Sequence, residues 1–130
     1  MWEADQASRA LGIELEEVRA GYATARMTVS SAMVNGHEVC HGGYVFTLAD
    51  TAFAFACNTY GAVTVAAACD IVFVAPAHVG DELVAEACER TRFGRNGVYD
   101  VTVRRGDGSV VAEFRGRSRE TGGSILEPRA

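Results

Sequence analysis

Between Glu38 and Asp70 the chain carries one charged side chain, Asp50. It lies inside the run Gly42-Gly43-Tyr44-Val45-Phe46-Thr47-Leu48-Ala49-Asp50-Thr51-Ala52-Phe53-Ala54-Phe55-Ala56-Cys57. Length and richness in Ala, Leu and Phe predict one helix from about 43 to 59, opened by Gly42-Gly43 and closed by Gly61. A helix apolar over most of its circumference has to be buried. An ionised carboxylate within it is costly unless it is hydrogen-bonded or has chemistry to perform. Asp50 is therefore the first functional candidate.

The remaining pattern supplies what covers that helix. Residues 2–11 read as a short amphipathic helix with Trp2, Ala7, Ala10 and Leu11 apolar. Strands are expected at 13–19 and 22–30, joined at Ala20-Gly21, and at 63–75, ended by Pro76. Further strands follow at 81–92, 98–105 and 109–119, with turns at Asn96-Gly97 and at Gly106-Asp107-Gly108. Residues 121–130, with Gly122-Gly123 and Pro128, read as a flexible tail. Strands dominate and the long helix has no helical partner, so it must lie on the sheet. That is a two-layer α+β fold in a single domain spanning 1–130.

Composition narrows the function classes. A net charge of −5 argues against general nucleic-acid binding. No apolar stretch is long enough to predict a membrane span, and the acidic start lacks a signal-peptide pattern, so a cytoplasmic protein is expected. Cys40, Cys57, Cys69 and Cys88 have no zinc-motif spacing, and the last three sit in apolar segments, where small buried residues are expected. All twelve basic residues are arginines, nine of them from Arg90 to Arg129. Arginine suits bidentate phosphate contacts, though a solvated strand face has the same composition.

On a helical projection Gly43, Thr47, Asp50, Thr51, Ala54 and Asn58 share one face. A solvent stripe usually carries Lys, Glu or Arg; this one carries small residues and a single acid, which lets a ligand or another helix approach. His41-Gly42-Gly43 leaves unobstructed N–H groups at the positive end of the helix dipole, an arrangement that stabilises an oxyanion. Asp50 lies eight residues beyond Gly42, about 12 Å along the axis at 1.5 Å per residue. One carbonyl cannot touch both on a single helix. Two antiparallel helices related by a twofold would bring Asp50 of one chain opposite Gly42 of the other.

Asn35, His41-Gly42-Gly43, Phe46 and Leu48-Ala49-Asp50 together resemble the hotdog-fold acyl-CoA thioesterases. The stretch Ala49 to Asn58, Gly94-Arg95-Asn96-Gly97-Val98-Tyr99-Asp100 and Phe114-Arg115-Gly116-Arg117-Ser118 resemble the PaaI (phenylacetic acid degradation) branch. The resemblance covers roughly residues 5–120. It implies a long helix wrapped by a curved antiparallel sheet, a dimer with shared sites, and a homotetramer built as a dimer of dimers. It also implies hydrolysis of an acyl-CoA, phenylacetyl-CoA or a ring-hydroxylated relative, without metal or cofactor beyond the coenzyme A of the substrate.

By motif position Asp50 matches the catalytic carboxylate and Gly42 the N–H donor to the thioester carbonyl. Asn35 matches the residue orienting the carboxylate or water, and His41 a support of that loop. Gly43, Thr51, Arg95, Asn96, Gly97 and Arg117 are the candidates for binding the substrate and its coenzyme A, with Arg95, at a turn beside Asn96-Gly97, and Arg117, on a late strand, expected at the phosphates. The sequence departs at Ala66-Ala67-Ala68, where related enzymes often carry a Ser or Thr; Thr64 and Thr51 are the nearby hydroxyls. Asp50 either activates water as a general base or attacks directly. A non-catalytic acyl-CoA binder and a hotdog hydratase are the alternatives. The first predicts binding without turnover, and the second generally uses a His with an acid, against which Gly-Gly after His41 counts.

Overall fold

The computed structural model describes residues 2–124. A 3-10 turn (Trp2–Ala4) and a short helix α1 (Gln6–Ala10) precede β1 (Glu14–Arg19) and β2 (Tyr22–Thr28). A 3-10 turn (Ser31–Met33) leads to the long helix α2 (Gly42–Cys57). Four strands follow: β3 (Ala62–Phe73), β4 (Glu82–Phe93), β5 (Asn96–Arg105) and β6 (Val110–Ser124). They form one six-stranded sheet in the order β1-β2-β4-β5-β6-β3, antiparallel throughout. This is the expected α+β arrangement, with α2 against one face. Register shifts at Leu15/Glu17, Ala66/Ala68 and Glu89/Thr91 are bulges, which bend and twist a sheet around what it covers.

Side-chain size places the helix. On β2 and β4, Ala23, Ala25, Ala85 and Ala87 are fully buried, as are Ala49, Ala52 and Ala56 of α2. Small residues allow close backbone approach there. Toward β5 and β6 the space is filled by rings: Phe53 lies 5.7 Å from both Tyr99 and Phe114 between centroids, and Phe46 lies 5.4 Å from Phe114. Gly116 makes room for Phe53, since a Cβ there would sit 2.7 Å from its ring atoms. At the far end of α2, Asn58 donates to Ala54 O and Thr64 O and accepts from Thr64 N, locking the helix end onto β3.

Several sequence expectations shift. The N-terminal helix is broken at Asp5, whose side chain accepts from Ser8 N at 3.0 Å and caps α1. The turn read at Asn96-Gly97 falls at Gly94-Arg95, with Gly94 at φ 57°, and Asn96 pairs with Phe93 as the first residue of β5. Gly97 serves packing instead: a Cβ would meet Ser118 Oγ at 2.8 Å and the Tyr99 ring at 2.9 Å. The tail expected from 121 starts later, because β6 continues through Ser124; residues 125–130 lie outside the described ones. Cys40 and Cys57 are buried, but Cys69 is exposed and Cys88 only partly covered. The apolar strand that holds Cys69 is a sheet edge rather than an interior strand.

Gly116→Ala is expected to lower unfolding free energy by about 1–3 kcal/mol, the usual cost of overpacking a tight core. Phe53→Leu in the same chain should return part of that loss, as coupled neighbours do. Urea unfolding of the two single variants and the double variant measures both.

Candidate active site

The loop before α2 is folded by its own polar groups. Asn35 N donates to Val39 O at 2.8 Å, and Asn35 Oδ1 accepts from His37 N at 2.9 Å and Val39 N at 3.3 Å. This closure carries Glu38 at φ 63°. His41 N donates to Met33 O and Cys40 N to Ala77 O, both at 2.7 Å, pinning the loop to the body. Asn35 is exposed: its carbonyl oxygen folds the loop, which leaves its amide nitrogen for a ligand.

His41 is the N-cap of α2, and its Nδ1 accepts from Gly43 N at 3.2 Å. The Gly43 amide is thus engaged, and Tyr44 N donates to His41 O. Among the described residues nothing accepts from Gly42 N, so of the two glycine amides it is the one left to receive an oxyanion. The Phe73 ring lies over Gly42, where a Cβ would be 2.9 Å from its tip. Val39, Cys40, Val45, Pro76 and Val111 complete a largely apolar cavity of about 420 Å³ beside this amide.

Asp50 sits on the one stripe of α2 left open, with Gly43, Thr47 and Ala54. It is half-buried, and among the described residues no hydrogen bond or ion pair reaches its carboxylate. Its proton affinity is raised, first by burial and then by the negative charge of Asp5. The thiols of Cys57 and Cys69 lie within the reach of its field: both are raised mainly by burial and further by Asp50, Cys57 to about 12. Asp50 and Gly42 stand at different heights on α2, about 12 Å apart along the axis.

Thr51 is buried and its hydroxyl is committed, donating to Thr47 O at 2.8 Å and bonded to Ser8 Oγ at 2.7 Å. The Thr64 hydroxyl donates to Ala62 O. Neither hydroxyl stands free beside Asp50. Arg95 occupies the β4–β5 hairpin tip, and the register sets Asn96 opposite Arg119, Gly97 opposite Ser118 and Val98 opposite Arg117. Arg95 and Arg117 are exposed and, among the described residues, unpaired, whereas Arg115 is held by Asp100 through bonds of 2.6 and 2.9 Å. Asp70, opposite Arg115 in the β3–β6 register, is exposed. The sequence reading missed two contributors: Ser8, which grips Thr51, and Asp5. The spacing of Asp5 from Ser8, a cap acceptor three residues before its donor, was the available signal.

A family model described as the thioesterase superfamily matches residues 37–112, the span that carries Gly42, Asp50 and Phe73. The chain belongs to this superfamily. It is 46% identical over 125 residues to the Escherichia coli K12 acyl-coenzyme A thioesterase PaaI, covering 96% of this chain and 89% of that protein. The structure of the E. coli PaaI protein from the phenylacetic acid degradation operon superimposes with a TM-score of 0.94 over 95% of this chain and 90% of that one. The TT0310 protein of Thermus thermophilus, 34% identical, gives 0.86 over 89% and 97%. The thioesterase is thus of the PaaI type, and its helix wrapped by an antiparallel sheet is the hotdog fold.

Asp50→Asn tests the electrostatics of the candidate site without any substrate. The folded-state pKa of Asp50 is raised above its unfolded value, so the native state holds this proton more tightly. The corresponding stability is present below the ordinary value of 3.8 and is lost as pH rises through the folded pKa. Asp50→Asn is therefore expected to have a higher Tm than the parent at pH 7, with the gap closing on acidification toward 3.8. Thermal melts across that range read the difference.

Proposed function

We propose that this protein hydrolyses acyl-CoA thioesters, with phenylacetyl-CoA or a ring-hydroxylated relative as substrate, in cytoplasmic phenylacetate degradation. The observation that carries the reading is a half-buried Asp50, unpartnered among the described residues, on the same helix as a Gly42 amide that none of them accepts from. The aromatic acyl group is supported by the apolar cavity beside Gly42 and by the identity with E. coli PaaI.

A thioester carbonyl is poorly stabilised by resonance, and a thiolate leaves without strong acid assistance. The needs are few: an N–H donor for the carbonyl oxygen, a carboxylate and a placed water. Gly42 N–H receives the developing oxyanion. Asp50, whose burial strengthens it as a base, takes a proton from water as the water oxygen bonds to the carbonyl carbon. Collapse of the tetrahedral intermediate breaks the C–S bond. The acid departs, and the coenzyme A thiolate recovers the proton. The Asn35 amide nitrogen orients the water, and His41 keeps the loop and the Gly43 amide in place.

The site is completed by a second copy of the chain. β3 is a twelve-residue edge with exposed Val65, Val72 and Phe73 (48, 57 and 53%), whereas the other edge, β1, is short and carries Glu14, Glu16, Glu17 and Arg19. A long apolar edge is a template for strand pairing and a charged one resists it. Pairing two copies through β3 makes one continuous sheet and supplies the partner helix that a shared site requires. Dimers then associate into a tetramer. Arg95 and Arg117, with no anion of their own among the described residues, meet the phosphates of coenzyme A beside Asn96 and Gly97.

Asp50→Asn is expected to fold and to lose about 10²–10⁴ in turnover, the contribution of a positioned base. Release of free thiol from a panel of acyl-CoAs is the assay, and wild-type turnover by the folded variant would remove the assignment. Refolding Asp50→Asn together with Gly42→Val should restore activity in the mixed dimer, because one of its two sites carries neither lesion. Verified mixed dimers without recovery would place the site within one chain.

Arg95→Ala and Arg117→Ala are expected to raise KM for CoA thioesters more than they lower kcat, since remote phosphate contacts bind ground and transition states alike. An unchanged KM at low salt in both variants would exclude these arginines.

A further inference from the structure

Beyond the end of α2 the chain turns through Tyr60 onto a charged cluster centred on Arg92 of β4. The Arg92 guanidinium lies over the Tyr60 ring, 3.6 Å from its centroid. Its Nε stands 3.8 Å from Glu89 Oε1, and its Nη2 stands 3.9 Å from Glu120 Oε1 on β6. Glu89 Oε1 also accepts from Tyr60 OH at 2.9 Å and from Tyr99 OH at 3.3 Å. The β1–β2 turn packs closely on this cluster: a Cβ at Gly21 would meet Glu89 Cβ and the Tyr60 hydroxyl at 3.0 Å each. The backbone then ties the cluster to the β4–β5 hairpin tip, where Glu120 N donates to Arg95 O at 2.8 Å. Arg92, Arg95 and Glu120 line one narrow cleft with Tyr60, Asn96 and Gly97. Arg92 therefore holds two carboxylates, while the Arg95 side chain in the same cleft has no anion among the described residues.

We propose that Arg92 is a positioning residue for coenzyme A: by holding Glu89 and Glu120 it keeps the Arg95 guanidinium free to meet a phosphate. The inference rests on the proposed role of Arg95. The backbone bond from Glu120 N to Arg95 O sets these two residues side by side, so Glu120 is the carboxylate of the cleft wall that competes for Arg95. Ion pairs as exposed as these, with the Arg92 side chain at 40% and Glu120 at 30%, add little stability. What they change is which cation the carboxylates hold. A planar guanidinium suits the position, because its face lies on Tyr60 while its edge is left for the carboxylates. Without Arg92, Glu120 would either pair with Arg95 or repel an incoming phosphate. Both outcomes weaken binding of the nucleotide end and leave the thioester carbonyl untouched.

The test compares Arg92→Gln on two thioesters of one acid, that of coenzyme A and that of pantetheine, which lacks the phosphates. KM for the acyl-CoA is expected to rise about tenfold with kcat unchanged, the scale of one lost charge-assisted contact. KM for the acyl-pantetheine should not move, whereas a defect in folding would move both. In an Arg95→Ala background Arg92→Gln should add little, because the two residues act through one contact. Adding Glu89→Gln and Glu120→Gln to Arg92→Gln removes the competing charges and should return KM toward the parent value. An unmoved KM for the acyl-CoA, an equal rise for the acyl-pantetheine, a full effect in the Arg95→Ala background, or no recovery on neutralising the carboxylates overturns the proposal. Calorimetric titration with coenzyme A itself, which carries the phosphates and no thioester, reads the same affinities without turnover. Its Kd should rise in Arg92→Gln as in Arg95→Ala. Coenzyme A held equally by both variants and the unmutated protein, or not held by the unmutated protein, overturns this inference. Thiol release from the acyl-pantetheine judges the thioesterase reading separately.

Discussion

Burial of one sixteen-residue helix against one face of a single sheet is the constraint from which the other features follow. A sheet covering one helix has to curve, and the bulges on β1, β3 and β4 supply bends where the register slips. Close approach requires small residues, which accounts for the alanines facing each other between α2 and β2–β4 and for Gly116 beneath Phe53. The sheet does not reach all the way round. What it leaves is a narrow stripe bordered by the N-terminal segment on one side and β3 on the other, and Asp50 stands in it. The site is the part of the helix that the core does not use.

The helix was legible because a long apolar run with a single charge has few other readings. The strands and the Gly106-Asp107-Gly108 hairpin followed from alternation and turn chemistry. Exposure was not legible. β3 reads as a core strand by composition, yet Val65, Cys69, Val72 and Phe73 are exposed, because apolar alternation cannot distinguish an interior strand from an edge. Asn96-Gly97 has the signature of a two-residue turn, but Gly94 takes the positive φ and Gly97 is needed for a close approach to Ser118 and Tyr99. Thr51 looked available on a helical projection, which cannot show that Ser8 from forty-three residues away has bonded it.

Within the candidate site, Asp50 and Gly42 stand out in the sequence because each departs from its surroundings: one acid in an apolar run, two glycines at a helix start. Which glycine amide is free could not be found, since that depends on the rotamer of His41 and its bond to Gly43 N. The result is one available donor, with its neighbour committed to holding the turn. The division is physically sensible. A donor for an oxyanion works best when it is fixed before the reaction, and the His41 cap on Gly43 N holds the turn in which the Gly42 amide sits.

The electrostatics of Asp50 bear on why such a site would be divided between chains. Helix-dipole effects fall off within the first turn, so Asp50, two turns in, gains little from its own helix N-terminus. In one chain it is therefore a carboxylate raised by burial and by Asp5 with nothing opposing. Set opposite the N-terminus of a second α2, it would face the free Gly42 amide and the positive end of that dipole. The anion would be stabilised there, and its proton affinity would fall. The basicity of Asp50 would then be a balance: burial and Asp5 pull it up, the partner helix pulls it down. Burial strengthens the carboxylate as a base, and the dipole would favour the ionised form that has to be present to take a proton from water. Dividing the site between two chains would supply the second influence without a second helix in the fold.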